Sequence, residues 1–456
     1  MIIRSSNVLT PQGLRPATVV VEDGKIQDVQ EYDFSGGTSP VEDAGALVVM
    51  PGLVDTHVHI NDPGRSEWEG FETATKAAAA GGITTVVDMP LNSSPVTTTV
   101  AALNQKSRSA SGRVWVDWGM YAGLIPGNAN HLPALIDSGV LGVKAFLVRS
   151  GLDEFPRVSE GDLRAGMPVI ADSGLPLLVH CELADGPNPV NLADRSYKAY
   201  LSSRPGKWEH NAINLMIRLC KEFRCRVHVV HLSSADAVGM LSQARKSGLP
   251  ITVETCPHYL TFAAEEISDG DTRFKCAPPI REGENRERLW KALRERAIDF
   301  VVSDHSPCAP EMKLISEGNF SKAWGGISSL QLGLPIVWTG ASKRGFSIAD
   351  VARWMSEAPA TFVGLGGQKG AIAPGYDADF VVWNPDEEFV VKRSQLLHRH
   401  KMTPYEGMTL RGKVVATYLG GRKIYEKGNV ATEPSGQLLR RKSKGVSRNH
   451  YATSPQ

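Results

Sequence analysis

This chain of 456 residues has no excess of either charge, because 50 Lys+Arg stand against 49 Asp+Glu and leave a formal charge of +1. That balance gives no global electrostatic reason to expect nucleic acid or an anionic membrane surface, and it favours small, near-neutral partners. Cysteines are scarce as well: Cys181, Cys220, Cys225, Cys256, Cys276 and Cys308 show no repeated short spacing. They read as reduced intracellular thiols, not as a disulfide framework. No uninterrupted apolar run approaches the ~20 residues of a membrane span, and the segment from Met1 to Asn7 lacks the apolar core of a signal peptide. A soluble, non-secreted protein is expected, cytoplasmic or peroxisomal. The final Ser454-Pro455-Gln456 does not match the peroxisomal tripeptide, which leaves the compartment open.

What is present is an ordinary globular composition, 42% hydrophobic and 22% charged, in a chain long enough for a large catalytic domain and a smaller companion. Thr18 to Val29 holds two β-rich runs split by Asp23-Gly24, a hairpin signal. Similar runs return near the end, at Ala378 to Trp383 and at Thr409 to Leu419, where Gly420-Gly421 turns into Arg422. These separated ends, residues 1–50 and 369–430, are expected to pair as one small β domain. Residues 431–456 turn polar and basic, and read as a solvated, mobile tail.

The stretch 51–368 alternates apolar runs with helical segments, the pattern of parallel strands with helical crossovers. The runs are Leu53–His59, Ile83–Asp88, Val114–Tyr121, Leu141–Phe146, Leu175–His180, Arg226–His231, Pro250–Cys256 and Ile298–Asp304. Eight such runs predict an α/β fold, a (β/α)₈ TIM barrel with its chemistry at the strand C-terminal ends. The alternative, an open doubly wound sheet, lacks its usual glycine-rich turn after the first strand.

Asp55-Thr56-His57-Val58-His59 closes the first run. Alternation along a strand points His57 and His59 the same way, so that they could share a metal; two ordinary hydrogen-bonded histidines are the other reading of the pair alone. The remaining strand ends favour the metal. His180, His231 and Asp304 each finish an apolar run, and polar groups at that rim serve function more often than stability. His228, on the opposite strand face from His231, reads as structural. Lys144, in Gly142-Val143-Lys144-Ala145-Phe146, would be costly to bury as an ammonium ion. Desolvation moves it toward the neutral amine that can take up carbon dioxide as a carbamate. A lysine reaching out to solvent is the alternative.

His57-Val58-His59, Lys144, His180, His231 and Asp304, in this order, resemble the binuclear metal set of the amidohydrolase superfamily. More narrowly, residues 1 to 430 resemble its cyclic amidases: dihydropyrimidinases, hydantoinases, dihydroorotases and allantoinases. The resemblance implies that the two β-rich ends form a composite β-sandwich beside the barrel. It also implies two divalent ions, Zn or else Mn, Co or Fe, with His57, His59 and Asp304 on one, His180 and His231 on the other, and carboxylated Lys144 bridging both. Two cations activate a shared water and polarise a ring carbonyl, while Asp304 takes the proton and returns it to the leaving nitrogen. His258 then reads as a supporting residue, because both ion sites are filled without it.

Among the cyclic amidases, the runs Asp62 to Gly70, Asp88 to Asn92, His180-Cys181-Glu182, Ser203-Arg204-Pro205, Glu254 to Tyr259, Ser303 to Lys313 and Lys322 to Ile327 are most similar to allantoinases. Hydrolysis of allantoin to allantoate, in purine catabolism, is the implied activity, and a homotetramer the implied assembly. Asn92, Ala277, Cys308, Trp324 and Gly325 are the implied substrate-binding residues. Packing beneath a loop is the other reading of Cys308, and a simple turn that of Gly325-Gly326. Asn61 stands where dihydroorotases carry an arginine, and Arg149 where dihydropyrimidinases and hydantoinases carry a tyrosine, so the oxyanion donor stays unassigned. A dihydropyrimidinase or hydantoinase is the alternative activity. A non-enzymatic scaffold that has lost its metals is the alternative of another class, and retention of every ligand type speaks against it.

Overall fold

A computed structural model describes residues 1–34, 40–184 and 194–441. Its centre is a set of parallel strands: β1 (Leu53–Val58), β2 (Ile83–Asp88), β3 (Asp117–Met120, resumed at Ala122–Gly123), β4 (Val143–Phe146), β5 (Pro176–His180), β6 (Arg226–Val229), β7 (Ile251–Thr255) and β8 (Phe300–Val301). Each apolar run read from the sequence contains one of them. β1, β2 and β3 pair in turn, the resumed part of β3 passes to β4, and pairing continues through β8. Beyond β8, His305 bridges back to Val58, and the His59 N–H donates to the His305 carbonyl at 2.9 Å. The parallel order thus returns to its start and brings the ends of β1 and β8 together.

Every residue of β1, β2, β4 and β5 is buried. That is the signature of parallel strands covered on both faces, and it explains why these runs are continuously apolar instead of alternating. The cover is helical. In Gly206–Phe223, the buried Ala212, Ile213, Met216, Leu219 and Cys220 recur at the three- and four-residue spacing of one helix face. Full burial of each large side chain there contributes about 1.5–3 kcal/mol. Glu160–Ser173 begins with a Ser159/Asp162 capping box and ends at Gly174 in the left-handed region, so the sequence marks both of its limits.

The chain ends share one nine-stranded sheet. Strand Val48–Pro51 from the beginning pairs antiparallel with Phe380–Val390 from the end, Phe380 opposite Pro51. Ile3, Val8, Val19, Val49, Phe380 and Tyr418 form its own apolar core. Asp23 and Gly24 both take positive φ between paired Glu22 and Lys25, as an Asp-Gly hairpin turn requires.

Residues 431–441 depart from the expectation of a mobile tail. The Trp118 N–H donates to Gln437 O at 2.9 Å, Leu439 N–H to Trp118 O at 2.7 Å, and Gln437 N–H to Asp117 Oδ1 at 2.8 Å. Composition misled because backbone pairing to β3 needs no apolar side chain. The remainder of the basic segment, 442–456, lies outside the described residues.

Candidate active site

His57 from β1 and His59 just past it, Lys144 from β4, His180 from β5, His231 just past β6 and Asp304 just past β8 all line one cavity of about 560 Å³. All six are buried. Asp304 Oδ1 lies 3.3 Å from His57 Nε2 and 3.5 Å from His59 Nε2. Donors at ~2.0–2.1 Å from a tetrahedral ion are roughly 3.3 Å apart, so this trio has the spacing of a shared cation. The rings of His180 and His231 are 4.5 Å apart, and that of His231 is 5.4 Å from His57. His231 and Asp304 both hold left-handed backbone, φ 40° and 43°. For non-glycine residues this is strained, and here it turns two side chains off their strand ends toward the others.

Burial drives the imidazoles of His57, His180 and His231 toward the neutral form, with the Lys144 charge adding to it. Neutral imidazole is the form that ligates metal. Burial also lowers Lys144 to about 8, against the opposing pull of Glu254 and Asp304. Its Nζ and the Nδ1 of His231 are buried with no hydrogen-bond partner. Two unsatisfied nitrogens would each cost about 1–3 kcal/mol in a finished interior. Beside four more imidazole and carboxylate donors they fit a centre completed by metal ions.

Three groups support the ligand candidates, and of these only Asn92 has a role assigned from sequence, as a substrate-binding residue. Glu254 accepts from His57 Nδ1 at 2.5 Å, from His228 Nε2 at 3.0 Å and from the His231 N–H at 3.3 Å. Glu182 lies 2.6 Å from His180 Nε2, and its carboxylate is gripped on both oxygens by Arg204. Burial opposes ionisation of Glu182, yet Arg204 and His180 together bring it down to about 2. Asn92 Nδ2 meets His59 Nδ1 at 3.2 Å. Each carboxylate or amide fixes the ring of one ligand candidate, the kind of outer layer that orients metal-binding histidines. An acid at a buried position of β7, between Val253 and Thr255, was the available signal for Glu254. His228 stacks on Phe300, a core setting in keeping with its structural reading, and reaches the site only through Glu254.

Asn92, Ala277, Trp324 and Gly325 line the cavity with the ligand candidates. The Trp324 indole N–H is buried without a partner, a donor left for a bound molecule. A Cβ at Gly325 would lie 3.9 Å from Ala277 N, and one at Gly326 only 2.2 Å from Ser306 O. The second glycine is therefore a packing requirement. Cys308 is buried but is not among the lining residues, and burial raises its thiol to about 11. It packs beneath the loop. Asn61 also lies off the cavity, donating to Pro307 O at 3.2 Å, whereas the exposed Arg149 stands at the mouth. His258 groups with Cys256 and Asp304 and has neither ring nitrogen paired. Away from the cavity, Asp117, Asp377 and Asp379 also gather, but the Lys369 ammonium sits among them at 2.8, 3.1 and 2.6 Å, so a cation already occupies their midst.

Residues 48–424 match the Amidohydrolase family. The chain is similar to an allantoinase of Streptomyces avermitilis, 50% identical over 97% of this chain and 98% of that one. It is also similar to an allantoinase of Arabidopsis thaliana, 45% identical over 96% and 90%. Among solved structures, an L-hydantoinase (dihydropyrimidinase) from Arthrobacter aurescens superposes with a TM-score of 0.90 at 32% identity, covering 96% of this chain and 99% of that one.

Proposed function

The chain belongs to the amidohydrolase family, and we propose that it is the enzyme that hydrolyses the cyclic amide of allantoin to allantoate. The observation that carries the substrate is near full-length similarity to allantoinases at up to 50% identity, against 32% for the hydantoinase of like fold. A ligand-complete cavity sets the chain apart from a scaffold that has lost its metals.

His57, His59 and Asp304 would hold one divalent ion and His180 with His231 the other, Lys144 bridging as a carbamate. Zn is the first choice for these nitrogen and oxygen donors, with Mn, Co or Fe as alternatives. When bound, such ions make water nucleophilic near neutral pH and polarise a ring carbonyl. The chain's own residues do the rest. Glu254 and Glu182 fix the rings of His57 and His180, so that little reorganisation is left for the reaction. Asp304 faces the cavity with Oδ1 between two imidazoles, placed to take the proton of the attacking water and return it to the ring nitrogen as the C–N bond breaks. Asn92, Ala277, Trp324 and Gly325 contact the substrate.

The finer architecture belongs to the same proposal: a (β/α)₈ barrel over 51–368 with a composite β-sandwich from 1–50 and 369–430. The ring of parallel pairing and the shared sheet support it. A homotetrameric assembly, implied by the family resemblance, and a cytoplasmic or peroxisomal location belong to the proposal as well; no helix among the described residues is long and apolar enough to cross a membrane.

A four-substrate panel with metal-loaded protein at neutral pH tests the reading. Allantoin should be opened well, dihydrouracil and phenylhydantoin poorly, and dihydroorotate hardly at all, since Asn61 supplies no cation for its carboxylate. Faster turnover of dihydrouracil than of allantoin would overturn the substrate and leave the metal chemistry standing.

A further inference from the structure

Two buried lysines, Lys275 and Lys313, stand behind the loop that carries Trp324 and Gly325, and neither has a carboxylate ion pair among the described residues. Their donors go to main-chain carbonyls. Lys313 Nζ donates to Lys275 O at 3.2 Å, to Trp324 O at 3.0 Å and to Gly326 O. An ammonium group has three N–H donors, and Lys313 has used all of them. Lys275 Nζ donates only to Ser321 O at 3.3 Å and Ala323 O at 2.5 Å. In its ammonium form one donor is left over, beside the Tyr200 ring at 5.4 Å; burial and the Lys313 charge lower that ammonium to about 7, and Lys275, unlike Lys313, lines the cavity.

The other cations of the wall are engaged or turned to solvent. Arg204 is held on both oxygens of Glu182, Arg149 is exposed beside Asp153, Lys322 is exposed, and Lys144 belongs to the metal set. Resting on the allantoin reading, we propose that Lys275 is a specificity-determining residue whose third N–H binds the carbonyl oxygen of the substrate's ureido arm. The hydantoin ring reacts at the metals on the strand-end side, and the arm extends toward the 321–326 loop. Lys313 is then a positioning residue that holds the same loop without touching substrate. The division of labour explains why two like charges share one buried corner: one pins the wall and the other reads through it.

The test compares allantoin with hydantoin, the same ring without the arm. Lys275→Met should lower kcat/KM for allantoin about tenfold to hundredfold, the worth of a hydrogen bond from a charged donor, and change that for hydantoin by less than about threefold. Lys313→Met, acting through the loop, should depress both substrates alike. An equal loss on both substrates in Lys275→Met, or none on allantoin, would overturn the inference. Should Lys275→Met not fold, wild-type protein still decides: 5-propylhydantoin, with an arm of similar size and no carbonyl, must be opened at least about tenfold less efficiently than allantoin, and parity refutes arm recognition. Wild-type protein that leaves allantoin intact would remove the functional reading, and this inference with it; a normal wild type with a non-discriminating Lys275→Met removes the inference alone.

Discussion

Glu254 Oε1 lies 2.5 Å from Nδ1 of His57, on the side of the ring away from Asp304, which meets Nε2 at 3.3 Å. One imidazole is thereby clamped between an acid that orients it and an acid that would share its cation. Replacing Glu254 with Gln keeps the shape and removes the carboxyl acceptor. Metal affinity, read by competition with a chromophoric chelator, should fall about tenfold to hundredfold. Unchanged affinity would reduce Glu254 to a core hydrogen-bonding group.

Lys144 has no polar partner for its Nζ within a buried wall. Lys144→Ala should lose metal and turnover together, and short carboxylic acids added to the buffer should restore part of both by standing in for the carbamate. Elemental analysis alongside an allantoin assay reads the two losses. Two bound metals with near-normal turnover would take Lys144 out of the centre.

Asp304→Asn separates the proton role from binding. Because the amide cannot accept and return the proton, kcat should drop by about 10²-fold or more where metal is retained, with little change in KM. A variant that only raises KM would show that Asp304 serves binding alone.

Stability offers a check far from the cavity. Gly436 sits where a Cβ would approach Val116 O to 2.0 Å, and the run beyond it pairs with β3. Gly436→Ala should cost about 1–3 kcal/mol, visible as a lowered Tm, while the metal content of the folded protein stays the same. An unchanged Tm would mean that the run docks too loosely to matter.

The strands and the residues that gather in the cavity were legible because both signals are local: an apolar run, and a polar residue at its end. Asp23-Gly24 was legible for the same reason, its turn chemistry being written in two residues. The outer layer was not. Glu254, Glu182 and Arg204 all fell inside motifs that stood out as family-like, yet their tasks depend on contacts such as Glu254 to His57, 197 residues away. No spacing rule reports such a distance. The unusual backbone of His231 and Asp304 was equally silent, since it is imposed by the surrounding fold. Residues 431–441 were misjudged because composition records side chains, and their attachment to β3 is made largely by the main chain.

The most direct test of the whole account is reconstitution of metal-free protein with Zn(II), following allantoate formed from allantoin as the metal-to-protein ratio rises. The account predicts no turnover without metal, and activity that climbs until two equivalents are bound and then levels. Turnover by thoroughly chelated, metal-free protein, or a plateau reached at one equivalent, would contradict the binuclear centre on which the mechanism rests.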